Sequence, residues 1–116
     1  MKLNDKDRLE LMLYHADRIL PIYENVSFDE FINSVTLCDT AVLNIGHIGE
    51  QVSKISDDFK CQHPEIPWVQ LSAIRNRFFH DYMGINFKML YKIITSDLPT
   101  LRKQLAQLQQ KLTTKG

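Results

Sequence analysis

The 116-residue sequence has little of what disulfide-rich, low-complexity or membrane-spanning proteins contain. Its two cysteines, Cys38 and Cys61, are too few for a disulfide framework and lack a CxxC spacing. Four glycines and four prolines exclude collagen-like and low-complexity chains. No apolar run approaches the ~20 residues that a transmembrane helix needs, and no apolar stretch follows the charged N-terminus as in a signal peptide. We therefore expect a cytoplasmic protein that does not bind a membrane.

The length and composition are those of one globular domain. Hydrophobic residues make up 44% of the chain and charged residues 24%, which excludes the apolar-poor composition of disordered proteins. Because domains typically span about 50 to 250 residues, we expect a single domain over residues 1–116.

The charges balance in total but are unevenly distributed. Residues 1–66 contain six basic and twelve acidic side chains, whereas residues 67–116 contain eight basic and two acidic ones. Two interpretations are open: the basic half meets an anion or the acidic half of a second copy, or both halves are solvated faces of one fold.

An apolar period of 3.6 residues recurs along the chain without sustained period-two alternation, so the sequence predicts an all-α fold. Asn4 is a candidate cap for a first helix that ends near Pro21, and Ser27 with Glu30 forms a capping box for a second. Two heptad rows on the second helix predict one long helix packed along a neighbour. The rows are Phe28, Val35, Val42, Gly49 and Phe31, Cys38, Ile45, Val52.

Glycine and proline mark close contacts and helix boundaries. Gly46 and Gly49 each cost a helix about 1 kcal/mol relative to Ala, so we expect them to permit close approach of two backbones. The helical pattern stops between residues 57 and 66. Pro67 suits the first turn of a third helix that ends near Gly84.

The last part of the chain predicts a fourth helix and its continuation. Asn86 is a candidate cap, and Pro99 should kink or restart the helix. The result is a bundle of four or five helices. The apolar positions expected inside are Trp68, Leu71, Ile74, Phe78, Phe87, Leu90, Ile94, Leu98, Leu101, Leu105, Leu108 and Leu112.

Common catalytic and metal-binding motifs are missing from the sequence. It contains no GxxxxGK[ST] or GxGxxG loop, no HExxH helix and no Cys/His cluster with zinc spacing. His47 and Glu50 could face one metal, but two ligands are not a site, and a polar helix face is the simpler interpretation. His15 and His63 each stand alone, which favours surface or cap roles, and Cys38 is expected to be a small buried hydrophobe. No metal or cofactor is predicted.

Residues 74–82 concentrate polar chemistry at the end of a predicted helix, with the sequence Ile-Arg-Asn-Arg-Phe-Phe-His-Asp-Tyr. Arg75 and His80 are separated by ~7.5 Å along a helix, so the long arginine can still meet the imidazole in one cleft. Histidine can transfer a proton near neutral pH, and arginine presents a planar fork to phosphate oxygens. Such groups can cleave RNA without a metal. Alternatively, the cation stabilises the helix C-terminus, with Tyr82 packed beneath it.

The spacing of Arg75, His80 and Tyr82 matches R-x4-H-x-Y, and the chain resembles the HEPN superfamily, in the branch of HepT-like toxins encoded beside a minimal nucleotidyltransferase antitoxin. The resemblance covers roughly residues 4–110. Several further blocks occur in order and at the proper spacing. They are I-G-E at 48–50, H-P-E-I-P-W at 63–68, I-R-N-R at 74–77 and D-L-P-T-L at 97–101.

The resemblance implies a HEPN-type up-and-down bundle and the toxin of a toxin–antitoxin pair, acting as a metal-independent endoribonuclease on RNA. Arg75 and His80 would be catalytic, while Asn76, Arg77 and Tyr82 would position the substrate. Tyr82 would also be the residue that the nucleotidyltransferase antitoxin AMPylates to silence the toxin. HEPN proteins pair so that two motif helices line one cleft, which implies a homodimer.

This sequence departs from the family pattern at two places. Asp81 stands where Gly is frequent, and its carboxylate could orient His80 or repel a phosphate. Phe78 and Phe79 are bulkier than the usual aliphatic pair. The alternative function is a non-catalytic HEPN dimer that binds nucleotide or a nucleotidyltransferase as a regulatory subunit, with the arginine and histidine as anion ligands.

Overall fold

The structure, a computed structural model, describes residues 3–80 and 84–114, without the side chains of residues 76–80 and 114. This part of the chain is helical and contains no strand, so the predicted all-α fold is confirmed. None of its helices is long and apolar enough to cross a membrane. The α-helices are α1 (Asp5–Tyr23), α2 (Phe28–Ile32), α3 (Val35–Lys54), α4 (Asp57–Gln62), α5 (Trp68–His80), α6 (Phe87–Lys92) and α7 (Leu98–Thr114), with a π-helical segment (Ile93–Asp97) between the last two.

The start of α1 is confirmed and its end is later than predicted. The Asn4 side chain accepts a hydrogen bond from the backbone N–H of Asp7 at 2.8 Å, and the Asp7 carboxylate accepts one from the Asn4 N–H at 3.1 Å. The helix continues past Pro21 to Tyr23, because Tyr23 is buried and its hydroxyl donates to the carbonyl of Leu37. Burial also raises the pKa of the Tyr23 phenol to about 12.

The prediction of one long second helix is wrong, although its capping box at Ser27 is confirmed. The helix ends at Ile32, and a new one begins at Val35, because two polar side chains compete with the backbone at the junction. The Asn33 amide donates to the carbonyl of Asp29, and the Ser34 hydroxyl caps α3. Val35 is consequently 76% exposed. Only the second heptad row is buried throughout: Phe31, Cys38, Ile45 and Val52.

A short helix, α4, occupies most of the segment in which no helix was predicted. Its cap is Ser56, whose hydroxyl accepts from the backbone N–H of Phe59 at 3.2 Å. His63 ends α4, which agrees with its expected surface or cap role, and its carbonyl accepts a hydrogen bond from the indole N–H of Trp68 at 2.9 Å. It does not stand alone, because its ring centroid lies 4.6 Å from that of Phe59. Trp68 is buried and begins α5 directly after Pro67. Helix α5 is described as far as His80; its predicted end near Gly84 stays a prediction, because residues 81–83 lie outside the described residues.

The predicted cap at Asn86 and the restart at Pro99 are both confirmed. Asn86 accepts from the backbone N–H of Met89 at 3.1 Å. Pro99 has no N–H to give, and just before it the helix widens so that the Leu98 N–H donates to the carbonyl of Ile93, five residues back. The α7 leucines then point into the core: Leu98, Leu101, Leu105 and Leu108 are buried, and Leu112 is partly so.

The long helices pack around one apolar core. Helix α3 packs against α1 on one side and α5 on the other, while α7 packs against α1. The core is made by apolar stripes at helical spacing on each of these helices, as expected for a bundle. This arrangement makes α3 the helix that lies beside the α5 segment carrying Arg75.

Candidate functional site

Gly49 on α3 lets α5 approach at the position of Arg75. A Cβ atom placed on Gly49 would overlap the Cβ of Arg75 and lie 3.2 Å from its Cα. No side chain larger than hydrogen fits there without moving one of the helices. The predicted close approach at Gly49 is therefore confirmed; the same role for Gly46 stays a prediction.

Arg75 forms a salt bridge with Glu50, the residue that follows this glycine. Its Nε donates to Glu50 Oε2 at 3.0 Å, and the Nζ of Lys54 lies 3.4 Å from the other carboxylate oxygen. The side chains of Arg75 and Glu50 are 30% and 28% exposed. The pair thus lies at the surface, where a substrate can reach it, and is partly shielded from water.

The electrostatics favour a charged Glu50. Partial burial raises the pKa of the Glu50 carboxyl, but the hydrogen bond and charge of Arg75, together with those of Lys54, outweigh this effect and lower it below its ordinary value. A charged Glu50 orients the guanidinium through Nε. The I-G-E block therefore has a physical explanation: Ile48 fills the core, Gly49 admits α5 and Glu50 holds Arg75.

The other predicted site residues lie on or after the same helix. Helix α5 includes Arg75 and His80, which places the two residues ~7.5 Å apart along one axis, as expected. Asn76 and Arg77 also belong to α5. The side chains of Asn76, Arg77 and His80, and all of Tyr82, lie outside the described residues.

His47 does not join Glu50 at a metal site in the described structure, since its ring stacks on His15. The two imidazole centroids are 4.8 Å apart and the ring planes are inclined by 13°. The described residues contain no group of three or more His, Cys, Asp or Glu side chains that could hold a metal ion. The prediction that His15 stands alone is wrong, because α1 and α3 bring residues 32 positions apart into contact.

His15 also contacts Asn44, with Nδ1 3.3 Å from the amide oxygen. Burial lowers the pKa of His15, the contact with Asn44 partly opposes this, and the positive charges of His47 and Arg18 lower it further. The sequence alone could not reveal this pair, since the pairing depends on how α1 packs against α3.

Cys38 is a buried hydrophobe, as predicted. It is 8% exposed, its thiol donates to the carbonyl of Phe31 at 3.2 Å, and burial raises the pKa of the thiol. A protonated, buried thiol is a poor nucleophile, so Cys38 is structural.

The described residues form an all-α bundle in which one helix, α5, includes both Arg75 and His80. A model of the family described as "Ribonuclease HepT-like" matches residues 12–108, which is most of the chain. The chain belongs to the HepT-like ribonuclease family.

Several curated proteins are similar to this chain over most of their length. The "Probable ribonuclease HepT" of Thermococcus cleftensis is 29% identical over 110 residues, covering 95% of this chain and 100% of that protein. Other relatives are named as candidate RNases. One from Caldanaerobacter subterraneus is 27% identical over 103 residues (89% and 92% of the two chains), and one of several from Methanocaldococcus jannaschii is 29% identical over 93 residues (80% and 85%). No solved structure matches the chain.

Proposed function

We propose that this protein is a metal-independent endoribonuclease in which Arg75 and His80 act on the scissile phosphate. The observation that carries the proposal is the salt bridge of Arg75 with Glu50 in a chain of the HepT-like ribonuclease family. A guanidinium held through Nε has a fixed orientation and a planar set of donors, which suits recognition of phosphate oxygens.

The reaction needs two proton transfers and a cation that stabilises the negative charge developing on the phosphate. A base removes the proton of the ribose 2′-hydroxyl, whose oxygen attacks phosphorus. The bond to the 5′-oxygen breaks, and an acid protonates that oxygen as it leaves. Arg75 stabilises the negative charge that develops on the phosphate oxygens. The products are a 2′,3′-cyclic phosphate and a 5′-hydroxyl, and neither step requires a metal.

His80 is the group that we assign to proton transfer, because a histidine can hold or release a proton near neutral pH. Asn76 and Arg77 lie on the same helix and position the substrate in this proposal, and Tyr82 shapes the cleft. A single motif histidine, His80, cannot be base and acid at once. A homodimer that brings two motif helices to one cleft supplies two histidines and two arginines.

The uneven charge of the two halves of the chain supports pairing of two copies. Six net negative charges in residues 1–66 and six net positive charges in residues 67–116 allow the halves of two copies to attract one another. In the same proposal the enzyme is the toxin of a toxin–antitoxin pair. A nucleotidyltransferase antitoxin silences it by adding AMP to Tyr82, which brings negative charge and bulk to the place where RNA phosphates bind.

The test is RNA cleavage by the purified protein in excess EDTA. We expect cleavage that added magnesium does not increase, fragments with 2′,3′-cyclic phosphate ends, and a light-scattering mass of twice the chain mass of 13.6 kDa. Tight binding of RNA or nucleotide without any cleavage would instead support the regulatory, non-catalytic dimer. Cleavage that EDTA abolishes would contradict the metal-independent mechanism.

A further inference from the structure

Three rings form a continuous row where α1 meets α3. The imidazoles of His15 and His47 stack as described above, and the Tyr14 ring meets His15 edge-on with centroids 5.4 Å apart. The guanidinium carbon of Arg18 lies 5.5 Å from the centroid of the Tyr14 ring, and Arg18 Nη1 donates to the Tyr14 hydroxyl at 2.9 Å. Tyr14, His15 and His47 are called the aromatic row below.

The aromatic row lies at the surface and not in the core. Tyr14 is 51% exposed, both imidazoles are half-buried, and Leu43, one turn before His47, is 60% exposed. Core packing therefore does not explain why rings are gathered here. Arg18 orders the Tyr14 ring in advance, so less side-chain freedom is lost when a ligand stacks on it.

The row leads toward the Arg75 site. His47 lies three residues before Glu50, about 4.5 Å along the same face of α3, and Glu50 holds Arg75. Cations lie at both ends, Arg18 at one and Arg75 with Lys54 at the other. Asp17 pairs with Arg102 at 2.9 Å and Glu50 with Arg75 as described, whereas the exposed carboxylate of Glu10 lies one turn before Tyr14 on α1.

We propose that the aromatic row is a stacking platform for bases of single-stranded RNA that enters the Arg75 site, an inference that rests on the proposed ribonuclease function. Aromatic rings and cations interleaved beside a phosphate-binding arginine are the groups that bind single-stranded nucleic acid. Bases stack on the exposed rings while Arg18 attracts the backbone.

Two properties follow from stacking. Binding tolerates any base, because every base has a π-face. The row also acts on binding and not on chemistry, so its loss weakens affinity while leaving turnover at saturating RNA unchanged. Loss of one stacked base typically lowers affinity by about 5- to 150-fold.

The test uses Tyr14→Ala in the full chain, with Tyr14→Phe and Ile22→Ala as matched controls. Phe keeps the ring, and Ile22 is an exposed apolar residue on the same helix at 44% exposure. The ligands are roughly ten-nucleotide oligouridine and oligoadenosine strands with 2′-O-methyl groups, which lack the attacking hydroxyl, and an abasic strand of equal length. Fluorescence anisotropy at one fixed salt concentration gives each Kd.

We expect Tyr14→Ala to weaken binding of both base-bearing strands by at least about fivefold and to leave binding of the abasic strand unchanged, while both controls stay within about twofold of the parent. His47→Gln should weaken the base-bearing strands in the same direction. The platform is refuted if Tyr14→Ala binds all strands like the parent, or if it weakens the abasic strand equally. It is also refuted if the variant changes the light-scattering mass, since the row would then join two copies.

The outcomes separate this inference from the proposed function. If the parent binds the strands through Tyr14 but leaves unmodified RNA intact, the ribonuclease mechanism fails and the platform stands. If the parent cleaves RNA and Tyr14→Ala neither weakens binding nor raises KM, the platform fails and the ribonuclease stands. A parent that binds none of the strands overturns the platform, and the ribonuclease mechanism then falls only if unmodified RNA is also left intact.

Discussion

Arg75 on α5 and Glu50 on α3 are joined by a salt bridge of 3.0 Å at the point where Gly49 lets the two helices touch. The glycine and the glutamate are consecutive, so one short stretch of α3 sets both the position and the orientation of the arginine. Packing and electrostatics at this site are therefore coupled. A substitution at Gly49 should change the position of Arg75, whereas one at Glu50 should change the orientation of its guanidinium.

Replacing Arg75 or His80 with alanine should abolish cleavage while leaving the helical fold intact. Loss of a charge-stabilising or proton-transferring group lowers the rate by about 10²–10⁴-fold. Single-turnover cleavage of a labelled RNA measures the rate, and circular dichroism reports the fold. Arg75→Lys should recover a small part of the rate, because it restores charge without the planar fork. A variant that cleaves as fast as the parent would remove that residue from the mechanism.

Glu50→Ala should lower the rate by up to about 100-fold, because a misplaced guanidinium no longer meets the phosphate in the right geometry. Glu50→Gln should retain more of the rate, since its amide oxygen can still accept from Arg75 Nε. The difference between the two variants identifies a positioning role. Glu24→Gln, an exposed carboxylate on another part of the chain, is the control. Equal rates for the Ala and Gln variants would contradict the role in orientation.

Gly49→Ala should destabilise the fold by about 1–3 kcal/mol, although alanine favours a helix, because the added methyl group collides with Arg75. Urea unfolding measures the loss. Ser53→Ala, at an exposed position on the same helix, should stay within about 0.5 kcal/mol of the parent. A Gly49 variant as stable as the parent would show that the two helices separate easily.

The stability of the fold should fall as the pH drops below the ordinary histidine value of 6.5. The pKa of His15 is lower in the folded chain, so the unfolded chain binds more protons between the two values. The stability that comes from the lowered pKa of His15 is fully present above pH 6.5, and it is lost as the pH falls through the pKa of His15 in the folded chain. Urea unfolding across this range should show a shallower decline for His15→Gln. An unchanged pH dependence in that variant would assign the decline to other groups.

Mixing the protein with ATP and its cognate nucleotidyltransferase should add AMP-sized mass increments at Tyr82 and suppress RNA cleavage. Each AMP would carry about one negative charge into the site that we propose binds RNA phosphates. Tyr82→Phe should escape modification and still cleave RNA, because Arg75 and His80 remain. Intact-mass spectrometry with peptide mapping gives the site. Modification elsewhere, or full activity after modification, would exclude this mode of silencing.

Helix caps were predictable from the sequence, whereas the partners in contacts between distant residues were not, even where a close approach was expected at Gly49. The caps at Asn4, Ser27 and Asn86 involve residues within a few positions, so a short pattern specifies each of them. The break between α2 and α3 was missed because the heptad rows continue through it while Ser34 starts a new helix. Helix α4 was missed because it buries no residue and so shows no apolar stripe.

The candidate site was found in part. The polar residues on α5 stand out by composition, but the salt bridge of Arg75 with Glu50 depends on which helices are neighbours in the bundle. The stacking of His15 on His47 depends on the same packing, across 32 positions of sequence. The resemblance identified the block with Gly49 and Glu50; the structure adds what each residue of the block does.

Trp68 gives α5 an intrinsic tryptophan fluorescence signal. It is the chain's single tryptophan, it is 7% exposed, and its indole N–H is held by the carbonyl of His63. Since Trp68 is the first residue of the helix that carries Arg75, any event that shifts α5 changes the surroundings of the one strong intrinsic fluorophore. Fluorescence emission from the unlabelled protein should therefore follow RNA or partner binding in real time. Trp68 reports this from the N-terminal end of α5, away from His80.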